Sequence, residues 1–145
     1  CIVVPKTTDP TPQPTAGLLA RIRAYVMQLA LGGIVSDLYF TGPDYSVVRI
    51  GADVHPLDPG AASSVARRVV GALEEFFHPL TGGEQQSGWD FGRDVFLSEV
   101  NAVLERTPGV DFVTNVTLLD YPGATSLDVL ANNLVASGAH QIRIV

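Results

Sequence analysis

Between Tyr45 and Phe77 the hydrophobic period of this chain changes abruptly, and that change dictates two layers. From Tyr45 to His55 the residues alternate: Val48, Ile50, Ala52 and Val54 share one face, and Arg49, Asp53 and His55 share the other. Period two is the signature of a half-buried strand. After Asp58-Pro59 the apolar positions become Ala62, Val65, Ala66, Val69, Leu73, Phe76 and Phe77, a broad helical face with Arg67, Arg68, Glu74 and Glu75 mostly off it. Asp58 supplies a capping carboxylate, Pro59 suits the first helical position, and His78-Pro79 ends the helix. A sheet with one apolar face beside a helix with one apolar stripe must bury one against the other.

The remaining elements fit the same scheme. Thr15 is an N-cap for a helix carrying Leu18, Ile22, Tyr25, Val26 and Leu29, stopped by Gly32-Gly33. Asp37–Thr41 is a short strand candidate closed by the turn Gly42-Pro43-Asp44. Ser98 to Arg106 reads as a helix with Val100, Val103 and Leu104 inward, and Val95-Phe96-Leu97 has no clear period. Val110 to Leu119 is β-rich, with Val110, Phe112, Val116 and Leu118 near one face. Tyr121 to Asp128 reads as a loop, followed by short strands near Asn133–Ala136 and His140–Val145. The expected fold is therefore α+β: a two-layer sandwich with helices at about 15–31, 60–77 and 94–106 packed on a mixed or antiparallel sheet.

Four prolines between Pro5 and Pro14 make residues 1–14 an extended, proline-rich linker from an upstream domain, and residues 15–145 a single domain. Cys1 stands where a start methionine would, so the chain reads as a piece of something longer. One cysteine gives no internal disulfide and no Cys-rich metal site. Fifteen acidic against nine basic residues give a net charge of −6. The single Lys and eight scattered Arg form no basic stripe, which argues against nucleic-acid binding. The uncharged run from Ala24 to Ser36 is too short to span a bilayer, so direct membrane insertion is not expected.

Site chemistry is thin. His55, His78 and His140 lie in separate segments without metal-ligand spacing. His78 suits a helix C-terminus and His55 a solvated strand end. Glu84, Asp90, Asp94 and Glu99 flank a glycine-rich loop, but their spacing enforces no acid–base pair. Gly82 to Gly88 lacks the Gly-Lys-Ser/Thr of a phosphate loop, no nucleophile elbow occurs, and the sequon Asn115-Val-Thr117 lies inside an expected strand. No catalytic residue, cofactor or metal site is assigned. The informative segment is Gly88-Trp-Asp-Phe-Gly-Arg93, whose aromatics and arginine suit a protein interface. Trp89, Asp90, Phe91 and Arg93 are the candidate interface residues. The competing reading is that Trp89 or Phe91 folds back onto the domain's own core.

At this loop the sequence resembles the baseplate J-like proteins, wedge components of contractile phage tails and related injection systems. The resemblance rests on His78-Pro-Leu-Thr-Gly-Gly83, Gly88-Trp-Asp-Phe-Gly-Arg-Asp-Val-Phe-Leu-Ser-Glu-Val100 and Pro108-Gly-Val-Asp-Phe-Val113. It extends to Val3-Val-Pro5, Tyr45–Val54 and Leu134–Ile144, and so runs over nearly the whole chain as the C-terminal portion of a longer protein. Asp94 stands where relatives often have a proline. The resemblance implies a non-enzymatic wedge subunit that pairs with itself or another wedge subunit. It also implies contacts with hub, spike and sheath-proximal proteins, and coupling of the baseplate to the sheath. Assembly in the bacterial cytoplasm, into a phage tail or a tail-like particle released outside the cell, follows from the same likeness. The alternatives are a polysaccharide hydrolase using Glu84 with Asp90 or Glu99, with Trp89 as a sugar platform, and a non-catalytic carbohydrate- or receptor-binding module.

Overall fold

The computed structural model describes residues 1–30 and 38–145. The elements follow the order α1 (Ala16–Leu29), β1 (Asp44–Val48), β2 (Ile50–Pro56), α2 (Ala62–Phe76), β3 (Val95–Phe96), α3 (Leu97–Arg106), β4 (Val110–Leu118), β5 (Ser126–Leu127), β6 (Asn133–Ser137) and β7 (Gln141–Ile144). Helices and mixed sheets make this the expected α+β fold. Strand β2 is central, antiparallel to β4 on one side and parallel to β7 on the other. Helix α3 packs on β4, and α2 packs on α3, β7 and β2. Between the layers lies a core that includes Ile50, Val54, Val65, Val69, Leu73, Phe77, Val100 and Leu104, each fully buried.

The alternating run is two strands rather than one. It breaks at Arg49: β1 pairs in parallel with β6, and β2 pairs in parallel with β7. Val48, Ile50, Ala52 and Val54 all point inward as their alternation requires. The partner segment inserts one extra residue between its two strands, since Val48 faces Ser137 but Gly51 faces Gln141. Gly138 sits at this step, where a Cβ would press within 2.7 Å of Arg49 and Val47 side-chain carbons. The imidazole of His140 fills the gap in the ladder. Its Nδ1 accepts the Ile50 backbone N–H at 3.1 Å, and its Nε2 lies 2.8 Å from the Ser137 hydroxyl.

Strand β4 departs from simple alternation for a related reason. Two bulges place an extra β4 residue opposite Gly51–Asp53 and opposite His55–Pro56. Asn115, at φ 52°, takes the left-handed turn one bulge needs. The inward residues therefore become Val110, Val113, Val116 and Leu118, a 3-3-2 spacing. Phe112, expected inside, is exposed on the opposite face and stacks on His55 at 4.0 Å between ring centroids. His55 is half-buried by that stack rather than freely solvated.

Other boundaries shift for local reasons. A 3₁₀ turn at Pro59–Ala61 precedes α2, with Asp58 accepting the Gly60 N–H at 2.9 Å. Val95-Phe96 is extended and pairs with Ser126-Leu127, so the third helix begins at Leu97 rather than 94, and the loop read from Tyr121 to Asp128 contains a strand. Glu99 reaches back to accept the Phe96 N–H, half of a capping box. Thr15 caps α1 as expected, accepting from the Leu18 N–H at 3.2 Å. That helix ends at Leu29; Leu31 and the Gly32-Gly33 stop fall outside the described residues, as does Asp37 of the strand candidate. Of the rest of that candidate only Thr41 bridges, to Ile2. No residue of α1 is buried, so the first helix does not join the sandwich as α2 and α3 do. The proline-rich segment is tied down near its end: the Tyr45 hydroxyl donates to the Pro12 carbonyl at 2.6 Å, and the Gln13 amide donates to that of Pro43. Burial, with help from the Asp9 charge, pushes the Tyr45 hydroxyl up to about 12.

Candidate interaction loop

The segment from His78 to Gly92 is held by backbone hydrogen bonds rather than by regular structure. Gly82 N–H donates to the His78 carbonyl, Gly83 N–H to that of Phe76, Gly88 N–H to that of Gly82, and Trp89 N–H to that of Pro79. A Cβ at Gly82 would collide with the carbonyl oxygens of Phe76, His78 and Glu75, so only glycine fits. Gly83 and Gly88 adopt φ of 79° and 93°. His78 contributes an acceptor, its Nδ1 taking the Leu80 N–H at 3.3 Å, rather than a donor to the helix carbonyls.

This scaffold turns Trp89 inward. It is 5% exposed, stands edge-on to Phe76 and stacks on Phe77, and its indole N–H donates to the Phe76 carbonyl at 2.8 Å. That carbonyl belongs to the last turn of α2, where intrahelical donors run out, and it accepts the Gly83 N–H as well. The Arg93 guanidinium covers the outer ring face at 4.6 Å and pairs with Glu99 at 2.6 Å. Of the four candidate interface residues, Trp89 is thus a lid on the domain's own core and Arg93 is half-buried above it. Asp90 and Phe91 face solvent, Phe91 at 43% exposure.

The carboxylates do not gather. Glu99 is committed to Arg93 and the Phe96 N–H, and Asp94 accepts the Val129 N–H at 2.8 Å, while Glu84 and Asp90 are exposed. The buried Trp89 presents no open ring as a sugar platform. Among the described residues no group of three or more His, Cys, Asp or Glu converges to hold a metal. No helix among them is long and apolar enough to cross a membrane.

Two polar arrangements escaped the sequence reading. On the outer sheet face, Asp53 is 7% exposed and takes a bidentate pair from Arg143 at 2.7 and 2.8 Å and a hydrogen bond from Asn115 at 2.7 Å. Those hydrogen bonds, Arg143 first, hold the Asp53 carboxyl down at about 2, and the bond to Asp53 raises the Arg143 guanidinium. Asp53 and Asn115 carried a weak signal, a strand's polar face and a sequon; Arg143 carried none. The second is His140, whose burial lowers its imidazole to about 4. The ring is neutral, with Nδ1 accepting and the proton on Nε2, toward Ser137. Finally, an open groove of about 660 Å³ runs between α2, α3 and the loop, lined by residues including Gly71, Ala72, Glu75, Glu84, Ala102 and Val103.

The fold and loop define a class: an α+β sandwich with a mixed sheet whose glycine-framed loop is pinned by one tryptophan. A chain in the cryo-EM structure of the anti-feeding prophage baseplate, 6-fold symmetrised, has this fold, with a TM-score of 0.68 and 19% sequence identity. The likeness covers 94% of this chain and 28% of that one, so the sequence spans little more than a quarter of its neighbour. No family model matches the sequence, and no curated protein does.

Proposed function

We propose that this chain is a structural, non-enzymatic part of the baseplate of a contractile injection system or phage tail. Within it, the chain serves as a region of a wedge subunit. The observation that carries this reading is the likeness of fold over 94% of the chain to a baseplate chain. The motif resemblance around His78–Val100 and Pro108–Val113 supports it independently. In this reading the protein contacts other wedge subunits, hub or spike and sheath-proximal proteins, and helps couple the baseplate to the sheath. It assembles in the bacterial cytoplasm into a tail or tail-like particle. Asp90 and Phe91, with the outer edge of Arg93, form the part of the loop that meets a neighbour, and Trp89 fixes the loop's shape from beneath.

The test is deletion of the full-length gene in its native cluster, with particles counted by negative-stain electron microscopy. Loss of sheathed, baseplate-bearing particles and rescue by the wild-type gene is the expected result. Complementation with Asp90→Lys/Phe91→Ser should restore roughly tenfold fewer particles from a protein that folds normally. Undiminished, fully assembled particles after deletion would overturn the assignment. Full rescue by the double variant would remove only the loop from the interface.

A further inference from the structure

Two loops of this chain anchor themselves in the core and each leave a large apolar side chain outside it. In the first, Trp89 is buried and Phe91 is 43% exposed; in the second, Leu127 and Val129 are buried and Leu130 is 72% exposed. The loops are fastened to one another. The Gly92 N–H donates to the Asn133 carbonyl at 3.0 Å, and the Asp94 carboxylate accepts the Val129 N–H at 2.8 Å. Gly92 lies so close to Ala131 that a Cβ would come within 2.9 Å of its Cα, at a φ of 70° that itself favours glycine. The Asn133 N–H closes the second loop on the Leu130 carbonyl at 2.8 Å. Phe91 and Leu130 are the residues just before the two halves of that contact, so a fixed backbone presents both. Such a surface loses little conformational freedom when a partner covers it.

Charge selects what that partner is. Asp90 directly precedes Phe91 and Asp128 lies two residues before Leu130; both are exposed, and neither forms an ion pair among the described residues. Arg93, the cation of the first loop, is paired with Glu99. Nucleic acid and anionic lipid are repelled by such a surface, and a second copy of this chain, at net charge −6, brings the same sign. We propose that Phe91 and Leu130 insert together into an apolar cleft rimmed by Lys or Arg on a different protein. The two apolar side chains supply affinity, while Asp90 and Asp128 steer the encounter and fix its orientation. The proposal rests on the baseplate reading, whose loop contact it extends to the second loop and to a partner of defined chemistry.

The test uses the full-length protein in particles purified from its native gene cluster. Photoreactive p-benzoylphenylalanine replaces Ala131, which leaves Phe91 and Leu130 in place, or Leu57, 67% exposed elsewhere, as a control. After irradiation, mass spectrometry should find position 131 linked to one other particle protein, within a few residues of Lys or Arg. The probe at position 57 should not give that link. A link from position 131 to a second copy of this chain, to a segment without Lys or Arg, or to no protein overturns the proposal. Particle yield supplies the second measurement. Asp90→Lys/Asp128→Lys, at two exposed positions, should give roughly tenfold fewer particles, and changing the basic residues at the linked site to Glu should restore them. Wild-type yield from the charge-reversed variant, or no recovery on the reciprocal change, also overturns it. Particles that survive deletion of the gene sink both readings. Particles that need the gene but show neither the link nor the charge dependence sink only this one.

Discussion

His140 shows how one side chain can stand in for backbone. Where the parallel ladder skips a residue, its Nδ1 takes the Ile50 N–H that would otherwise be buried unpaired. Protonation removes that acceptor. The folded-state value of about 4 lies below the ordinary 6.5, so the unfolded chain binds the proton first as pH falls. Stability contributed by this group is complete above 6.5 and declines down to about 4. After allowance for partial exposure we expect a loss of about 2 kcal/mol across that window. Urea unfolding at pH 7.5 and 4.5 reads it, and His140→Asn, which keeps an acceptor but cannot titrate, should flatten the dependence. Asp53 behaves oppositely in range: depressed to about 2, its pairing with Arg143 stabilises above about pH 4 and is lost as pH falls through 2. The urea midpoint of Arg143→Gln should lie below wild type at pH 7, and the gap should close near pH 2. An unchanged gap would mean Arg143 acts through packing alone.

At the scale of elements, two glycines that line the same groove have opposite roles. A Cβ at Gly71, inside α2, meets nothing within 4 Å, whereas one at Gly82 meets three carbonyl oxygens. Gly71→Ala should therefore stabilise by about 0.5–1 kcal/mol through helix propensity. Gly82→Ala should destabilise by about 2–3 kcal/mol, because backbone must move. Thermal melts of the two variants decide this by the sign of the shift. Trp89→Ala should cost about 3–5 kcal/mol, the range for emptying an aromatic site in a core. That makes it a stability variant, unsuited to probing an interface. The sequence could not tell these cases apart, because a glycine or tryptophan in a loop looks the same whether its surroundings are solvent or carbonyl oxygens. Element identity was more legible than element ends. Val65, Val69, Leu73, Phe76 and Phe77 of the α2 stripe and the inward Val48–Val54 set are buried as read, with Ala62 and Ala66 half-buried at the stripe's edge, while Val95-Phe96 required a partner, Ser126-Leu127, to become a strand.

Across the whole molecule, stability is unevenly spread. Residues of β2, α2 and α3 share one core, and α1 contributes no buried residue to it. Hydrogen exchange on dilute, monomeric protein should find α1 amides exchanging nearly unprotected, with those of β2 and the middle of α2 slowest. Equal protection of α1 and α2 at high dilution would instead mean that α1 is held within its own chain.

What the amino-acid order determined alone was local: period, caps and turns. These depend on neighbours a few residues apart, which is why Thr15, Asp58 and the two-layer α+β class could be read directly. What only the tertiary structure decided was anything needing a partner from far along the chain. Two bulges in β4 re-aimed Phe112 outward, a skipped residue brought His140 to Ile50 ninety positions away, and the Phe76 carbonyl drew Trp89 inside. An unpaired buried donor or acceptor is costly wherever it occurs, but which groups are left unpaired is set by how distant segments meet.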